Sequence, residues 1–236
     1  MSEQSGPNLQ EIFAASNGQH QDLWKALWDD GSYIPWDRGG SSPSLIDLLK
    51  DYPSLVQPPS PDTTLKALVP GCGRGYDVLL FASHGFNAYG LELSSSGVAE
   101  AQKNAEKTYP NHRGKYTFIT GDFFTKDLEN SMGGEEAKFD IVYDYTFLCA
   151  LDPSQGLRPK WAARMAELVK PGGRLICLEF PLYKSFDLPG PPWPLRSEIY
   201  AELLEGVGFV REMHVTPKRY LEAGEGSDMI SVWKRG

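Results

Sequence analysis

Leu65-Lys66-Ala67-Leu68-Val69-Pro70-Gly71-Cys72-Gly73-Arg74-Gly75-Tyr76-Asp77-Val78-Leu79-Leu80-Phe81 is the segment that decides the fold. Leu65 to Val69 reads as a strand, Gly71 to Gly75 as a tight turn, and Asp77 to Phe81 as the opening of a helix. Glycines at alternate positions let the backbone turn sharply and leave no side chain between it and a ligand, while a helix start offers unpaired N–H groups. That arrangement suits an adenosine-bearing cofactor. The dinucleotide fingerprint G-x-G-x-x-G/A needs a small residue at its last position, where this chain has Tyr76, so the nicotinamide reading is weakened.

The next strand closes with Tyr89-Gly90-Leu91-Glu92-Leu93, putting a carboxylate where it would accept hydrogen bonds from two ribose hydroxyls. A G-x-G-x-G turn followed by an acidic residue at the next strand end resembles the S-adenosylmethionine site of class I methyltransferases. The 236 residues suffice for one α/β domain plus a modest extra segment. A net charge of −8 argues against a nucleic-acid partner gripped through its phosphates, which would want a basic face. Cys72, Cys149 and Cys177 form no paired framework and fit a reducing, cytoplasmic setting. No apolar stretch approaches the roughly 20 residues that span a bilayer, and Met1-Ser2-Glu3-Gln4 carries no signal pattern. A soluble, unexported protein without a membrane partner is expected.

Leu9, Ile12 and Phe13, then Leu23, Trp24, Leu27 and Trp28, recur at helical spacing around a break at Asn17-Gly18 and predict two short helices. Pro53, Pro58, Pro59 and Pro61 mark an extended connection, so residues 1–62 are expected to form a helical cap and 63–236 the core. Strand and helix then alternate: a strand near Ala88 to Leu91, a helix from Ser96 to Lys107 capped by Ser94 or Ser95, and strands near Tyr116 to Ile119 and Phe139 to Tyr143. A helix from Pro159 to Val169 is stopped by Pro171-Gly172-Gly173, and Arg174 to Phe180 reads as a buried strand. Ser131 to Glu136 reads as a surface loop. A helix near Ser197 to Glu205 precedes strands at Phe209 to His214 and Met229 to Trp233, joined by a loop that predicts an antiparallel edge. The expected fold is α/β and Rossmann-like, a seven-stranded, mostly parallel sheet of the class I methyltransferase kind with an antiparallel edge and an N-terminal helical cap.

Ligands of doubly wound sheets lie outside the carboxyl ends of the strands. Those ends are Gly71 and Gly73, Glu92, Gly121-Asp122-Phe123-Phe124 and Asp144-Tyr145-Thr146-Phe147. Asp122 is either an acceptor for an adenine amino group or a loop cap, and Phe123 either packs on the base or is core.

Trp24-x-x-x-Trp28-x-x-Gly31 with Pro35-Trp36-Asp37, Val69-Pro70-Gly71-Cys72-Gly73, Gly121-Asp122-Phe123-Phe124, Phe139-Asp140-x-x-Tyr143-Asp144-Tyr145-x-Phe147-x-Cys149-Ala150 and Lys170-Pro171-Gly172-Gly173 together resemble the thiopurine, thiol and halide methyltransferase family. The resemblance runs over nearly the whole chain and looks most like the fungal thiol methyltransferases that cap the dithiol of gliotoxin-type toxins. It implies S-adenosylmethionine as methyl donor, S-adenosylhomocysteine as product, a small-molecule thiol as acceptor, a role in detoxification or in limiting toxin production, and a monomer. It also implies that Trp24, Trp28 and Trp36 form part of a lid, and that Gly71, Glu92, Asp122, Phe123 and Tyr145 contact the cofactor. Without it, Trp24 and Trp28 read sooner as core packing. Plant members carry aspartate where this chain has Glu92, one methylene longer. Similar members place an arginine facing substrate at the position of Arg158, which otherwise reads as a surface arginine at a helix start; Asp152 and Asp37 are candidates to pair with it, and the sequence does not choose between these readings.

A sulfonium methyl is a cation that aromatic faces attract, and a thiolate attacking it in line gains from exclusion of water. A thiol near pKa 8.5 is already a few per cent thiolate at pH 7, so no strong base is obligatory. His20, His84, His112 and His214 show no metal-ligand spacing, and no metal is predicted. The aromatics of Pro181 to Pro194 read as a lid over an apolar acceptor or as a rigid surface loop. An amino-methyltransferase would want a [D/N/S]-P-P-[Y/F] motif where Asp144-Tyr145-Thr146-Phe147 stands. Halide methylation and non-catalytic binding of the cofactor are the remaining alternatives.

Overall fold

Along the first strand Ala67 and Val69 point into one hydrophobic layer and Leu68 into the other, and this alternation sets the two faces of the molecule. The computed structural model describes residues 8–16, 18–56, 63–108, 114–134 and 137–236. Its first half runs α1 (Leu9–Ala15), α2 (His20–Asp30), α3 (Pro43–Asp51), α4 (Pro53–Val56), β1 (Lys66–Pro70), α5 (Tyr76–Ser83), β2 (Asn87–Glu92), α6 (Ser95–Thr108) and β3 (Lys115–Thr120). There follow α7 (Asp127–Ser131), β4 (Phe139–Tyr145), α8 (Leu157–Leu168), β5 (Val169–Glu179), α9 (Ser197–Glu205), β6 (Phe209–Val215) and β7 (Met229–Arg235).

The seven strands form one sheet in the order β3-β2-β1-β4-β5-β7-β6. β1 to β5 are parallel; β7 is antiparallel to both β5 and β6. The expected antiparallel edge is therefore refined: β7 is inserted between β5 and β6, and the edge strand β6 runs in the same sense as β5. The chain leaves β1 toward β2 on one side and β4 lies on the other, so the strand order reverses between β1 and β4, where a doubly wound sheet opens a crevice.

One face is covered by α3, α4 and α5, through Leu45, Leu48, Val56, Val78 and Phe81; the other by α7, α8 and α9, through Leu128, Trp161, Met165, Tyr200 and Leu204. The expected cap boundary moves accordingly. Pro43 and Pro53 each open a helix, where a missing N–H costs nothing, and Leu45, Leu48 and Leu49 place α3 in the core layer. Pro58, Pro59 and Pro61 lie outside the described residues, as do Asn17, His112, Glu135 and Glu136. The cap proper is α1 and α2, whose Leu9, Phe13 and Leu27 form a small cluster of their own with Trp24, Trp36 and Trp193.

The Pro171-Gly172-Gly173 segment falls within β5, which begins at Val169 directly after α8 ends at Leu168, so the helix has already stopped before it. Ser94 is the cap of α6, its Oγ accepting from the backbone N–H groups of Ser96 and Gly97 at 3.1 and 3.2 Å.

Gly75 ends the glycine turn with φ +73°, and a Cβ there would stand 2.4 Å from the Phe118 ring. Gly75→Ala combines left-handed strain with a steric conflict and is expected to cost about 2–4 kcal/mol. Thermal denaturation should show Tm lower by roughly 5–15 °C.

Candidate active site

All three turn glycines are left-handed, Gly71 at φ +59° and Gly73 at φ +51° included, a conformation that only glycine adopts freely. A Cβ on Gly71 would lie 2.6 Å from the Phe147 ring and one on Gly73 3.4 Å from Trp28. The turn thus presents bare backbone between two aromatic side chains. Glu92 closes β2 beside it. Its Oε2 accepts the Gly73 N–H at 3.1 Å and its Oε1 the Ser94 N–H at 3.2 Å, and only 6 % of the residue is exposed. Burial pushes its carboxyl pKa up, and the backbone donors hold it back. α6 approaches the carboxylate closely because of Gly97, whose Cβ would lie 2.9 Å from Glu92 Cγ.

Beyond β3, Asp122 is a loop cap, its Oδ1 accepting the Phe124 N–H at 2.9 Å, while its Oδ2 accepts from the Gln21 amide of α2 at 2.8 Å. Phe123 is buried, edge-on to Phe147 at 5.0 Å, and also lines the cavity. Arg164 of α8 fastens this loop: its guanidinium donates to the Phe123 and Thr125 carbonyls, each at 3.1 Å, and forks onto Glu129 at 2.7 and 2.8 Å.

α2 and the following loop form the roof. The Trp36 ring stands edge-on to Trp24 at 5.0 Å and to Trp28 at 5.7 Å. Arg74 of the glycine turn pairs with Asp37 at 3.2 Å and so ties the roof to the floor. Trp24, Trp28, Trp36, Gly71, Gly73, Glu92, Asp122 and Phe123 all line one cavity of about 840 Å³, mouth included. Eight of the expected residues are thereby brought together over the carboxyl ends of β1 to β3.

Two are not. Tyr145 does not line this cavity; the next two residues, Thr146 and Phe147, do, and the Tyr145 ring packs edge-on against Phe180 at 6.1 Å. Arg158 lines neither this cavity nor the one beside it. Its side chain is turned onto the Pro194 carbonyl at 3.2 Å and is only 8 % exposed. Of its two candidate partners, Asp152 acts on it through its charge without an ion pair and stands 3.8 Å from His20, while Asp37 pairs with Arg74. The guanidinium thus holds the end of the 181–194 loop and is not aimed at an acceptor.

A second cavity adjoins the first and shares Trp24, Trp36, Thr146 and Ala150 with it. Its other walls are Leu9, Tyr33, Cys149, Phe180, Pro191 and Pro192, with Arg38 the cation among the lining residues. The 181–194 loop meets the cap here: Gln10 donates to the Pro191 carbonyl at 2.7 Å, and Trp193 stacks on His20 at 5.3 Å. Cys149 is buried, and burial drives its thiol pKa far up, so it is no nucleophile. Thr146, between the cavities, is the one described non-glycine residue with positive φ, +60°, a strained geometry of the kind found at functional sites.

Asp144 supports this wall from behind, accepting from Trp161 Nε1 at 2.8 Å and Leu148 N at 3.3 Å. Burial pushes its carboxyl up to about 6 against those donors. With the folded pKa above the unfolded value, the folded state binds the extra proton. Stability from this group is therefore full below about pH 4 and falls as pH rises through 6, by about 3 kcal/mol. Urea midpoints of Asp144→Asn should lose that part of the pH 4–6 slope.

Residues 19–231 match the sequence model of the thiopurine S-methyltransferase (TPMT) family. The chain belongs to this family. It is 35% identical over 212 residues to probable thiol methyltransferase 2 of Arabidopsis thaliana, covering 90% of this chain and 84% of that one. Thiocyanate methyltransferase 1 of Brassica oleracea is 35% identical over 214 residues with the same coverage. In fold the family member resembles the magnesium protoporphyrin IX methyltransferase of Synechocystis with bound S-adenosylmethionine, at TM-score 0.63 and 18% identity over 92% of this chain and 97% of that one. This protein is an S-adenosylmethionine-dependent thiol S-methyltransferase. No helix among the described residues is long and apolar enough to cross a membrane.

Proposed function

We propose that the first cavity holds S-adenosylmethionine and that the second takes a bulky, largely apolar thiol, its mostly apolar walls favouring an acceptor such as a dithiol of the gliotoxin type. The observation that carries this reading is the wall common to both cavities, Trp24, Trp36, Thr146 and Ala150, across which donor and acceptor would meet. The cradle suits the cofactor: side chains at positions 71 and 73 would fill it, and Glu92 ends β2 beside it.

S-adenosylmethionine supplies an electrophilic methyl group on a sulfonium sulfur. Glu92 takes the two ribose hydroxyls, and Gly71 and Gly73 admit the cofactor against bare backbone. Besides capping the loop, the Asp122 carboxylate has lone pairs left to accept from the adenine amino group, and Phe123 packs on the base. Trp24 and Trp36 face the cation, each favourable contact contributing roughly 0.5–2 kcal/mol, and keep water from the attacking sulfur. Alignment and dryness then account for most of the rate, since no base lines the shared wall. Arg158 acts at a distance by holding the 181–194 loop over the acceptor.

The test compares kcat/KM for a reduced gliotoxin-type dithiol, an aryl thiol, a thiopurine, thiocyanate and iodide, with methyl-labelled cofactor and mass spectrometry of products. The dithiol is expected to exceed thiocyanate and iodide by at least about tenfold, as added apolar contact in a pocket allows. Preference for the small anions would overturn the bulky acceptor, and cofactor binding without labelled product would make the protein a non-catalytic binder.

A further inference from the structure

The second cavity carries an electrostatic signature at odds with the rest of the chain. The protein bears a net charge of −8, yet the cavity wall contains Arg38 and no aspartate or glutamate. Arg38 is exposed at the cavity, and among the described residues no hydrogen bond or ion pair engages it, as none engages Arg211 either, whereas Arg74, Arg164, Arg174 and Arg219 each have a carboxylate partner. Its positive charge reaches inward to Tyr145, Cys149 and Asp228, lowering each against the upward push of burial. Asp228 does not line the cavity; 2 % exposed, its carboxyl is pushed up to about 7 by burial and is partly neutral at neutral pH.

We infer that Arg38 recognises the acceptor as an anion, so that the cavity selects the thiolate from the thiol–thiolate mixture in solution. The inference rests on the second cavity being the acceptor's. The acceptor thiol releases its proton to water before it is seated, its sulfur lone pair forms the new S–CH₃ bond, and the sulfonium C–S bond electrons remain on the departing S-adenosylhomocysteine. Arg38 thereby does the work that a general base would otherwise do, by favouring the ionised form through a charge-assisted contact.

Nitrate serves as an anion that cannot be methylated, and the S-methyl product as a neutral ligand of the acceptor's shape. In the wild type nitrate should compete with the thiol. Arg38→Gln should raise the thiol KM and the nitrate inhibition constant each about tenfold while leaving product inhibition and S-adenosylhomocysteine affinity unchanged, and Arg38→Lys should restore most of both. Unchanged constants in Arg38→Gln, or an equal rise for nitrate and neutral product, would overturn the inference. Calorimetry with nitrate on the S-adenosylhomocysteine complex separates the two readings. Arg38-dependent nitrate binding in a protein that methylates no thiol would sink the proposed acceptor and keep the anion site, whereas nitrate binding that ignores Arg38 would sink the anion site alone.

Discussion

Glu92→Ala is expected to weaken S-adenosylmethionine binding by about 100-fold or more, the largest loss of any single side chain in the cofactor cavity. Two charge-assisted hydrogen bonds to ribose hydroxyls contribute roughly 1.5–3 kcal/mol each, and each 1.4 kcal/mol is tenfold in affinity. The truncation also removes the acceptor of the Gly73 and Ser94 N–H groups, so the glycine turn itself loosens. Glu92→Gln keeps one acceptor oxygen and should lose less. Isothermal calorimetry with S-adenosylhomocysteine reads both, and an alanine variant that binds within threefold of wild type would remove Glu92 from the site.

Arg164→Ala is expected to destabilise the protein by about 3–5 kcal/mol, because it leaves Glu129, 12% exposed at its side chain, without its principal cation. Tm should fall by roughly 6–20 °C. The Arg164 hydrogen bonds hold the Glu129 carboxyl down at about 2. This pair therefore stabilises fully above about pH 4.5 and its contribution is lost as pH falls through 2, so acid unfolding of the wild type and of Glu129→Gln should converge at low pH. The same guanidinium fixes the Phe123 and Thr125 carbonyls, so cofactor affinity should fall alongside stability. Chemical denaturation and cofactor titration of the same variant test both, and a variant destabilised with unchanged affinity would mean the Asp122–Phe123 loop holds its shape unaided.

How much of this could be read from the sequence follows from the range of the forces involved. The strand, glycine turn and helix at residues 65–81 are written locally, in an apolar run and in glycines whose φ the turn demands, and so are the acidic and aromatic strand ends that line the first cavity. α3 was hidden behind its proline, which reads as a breaker until Leu45, Leu48 and Leu49 are seen to share a buried face. The insertion of β7 between β5 and β6 is a pairing choice that period-2 alternation cannot express. Arg164 meets Phe123 across 41 positions, and Arg38 gains its meaning from Cys149 and Pro191 on distant segments. Arg158, placed by resemblance on the acceptor side, is drawn to Pro194 by the packing of a loop that no local pattern predicts. Nothing in the identity of Thr146 announces its left-handed backbone.

Methyl transfer in this arrangement requires two ligands to meet across one wall. A crystal structure with S-adenosylhomocysteine and an S-methylated dithiol tests it most directly. It should show the ribose hydroxyls on Glu92, the adenine beside Phe123, and the two sulfur atoms facing each other past Thr146 and Trp36. A ribose away from Glu92, or a product bound anywhere but between the cap and the 181–194 loop, would contradict it.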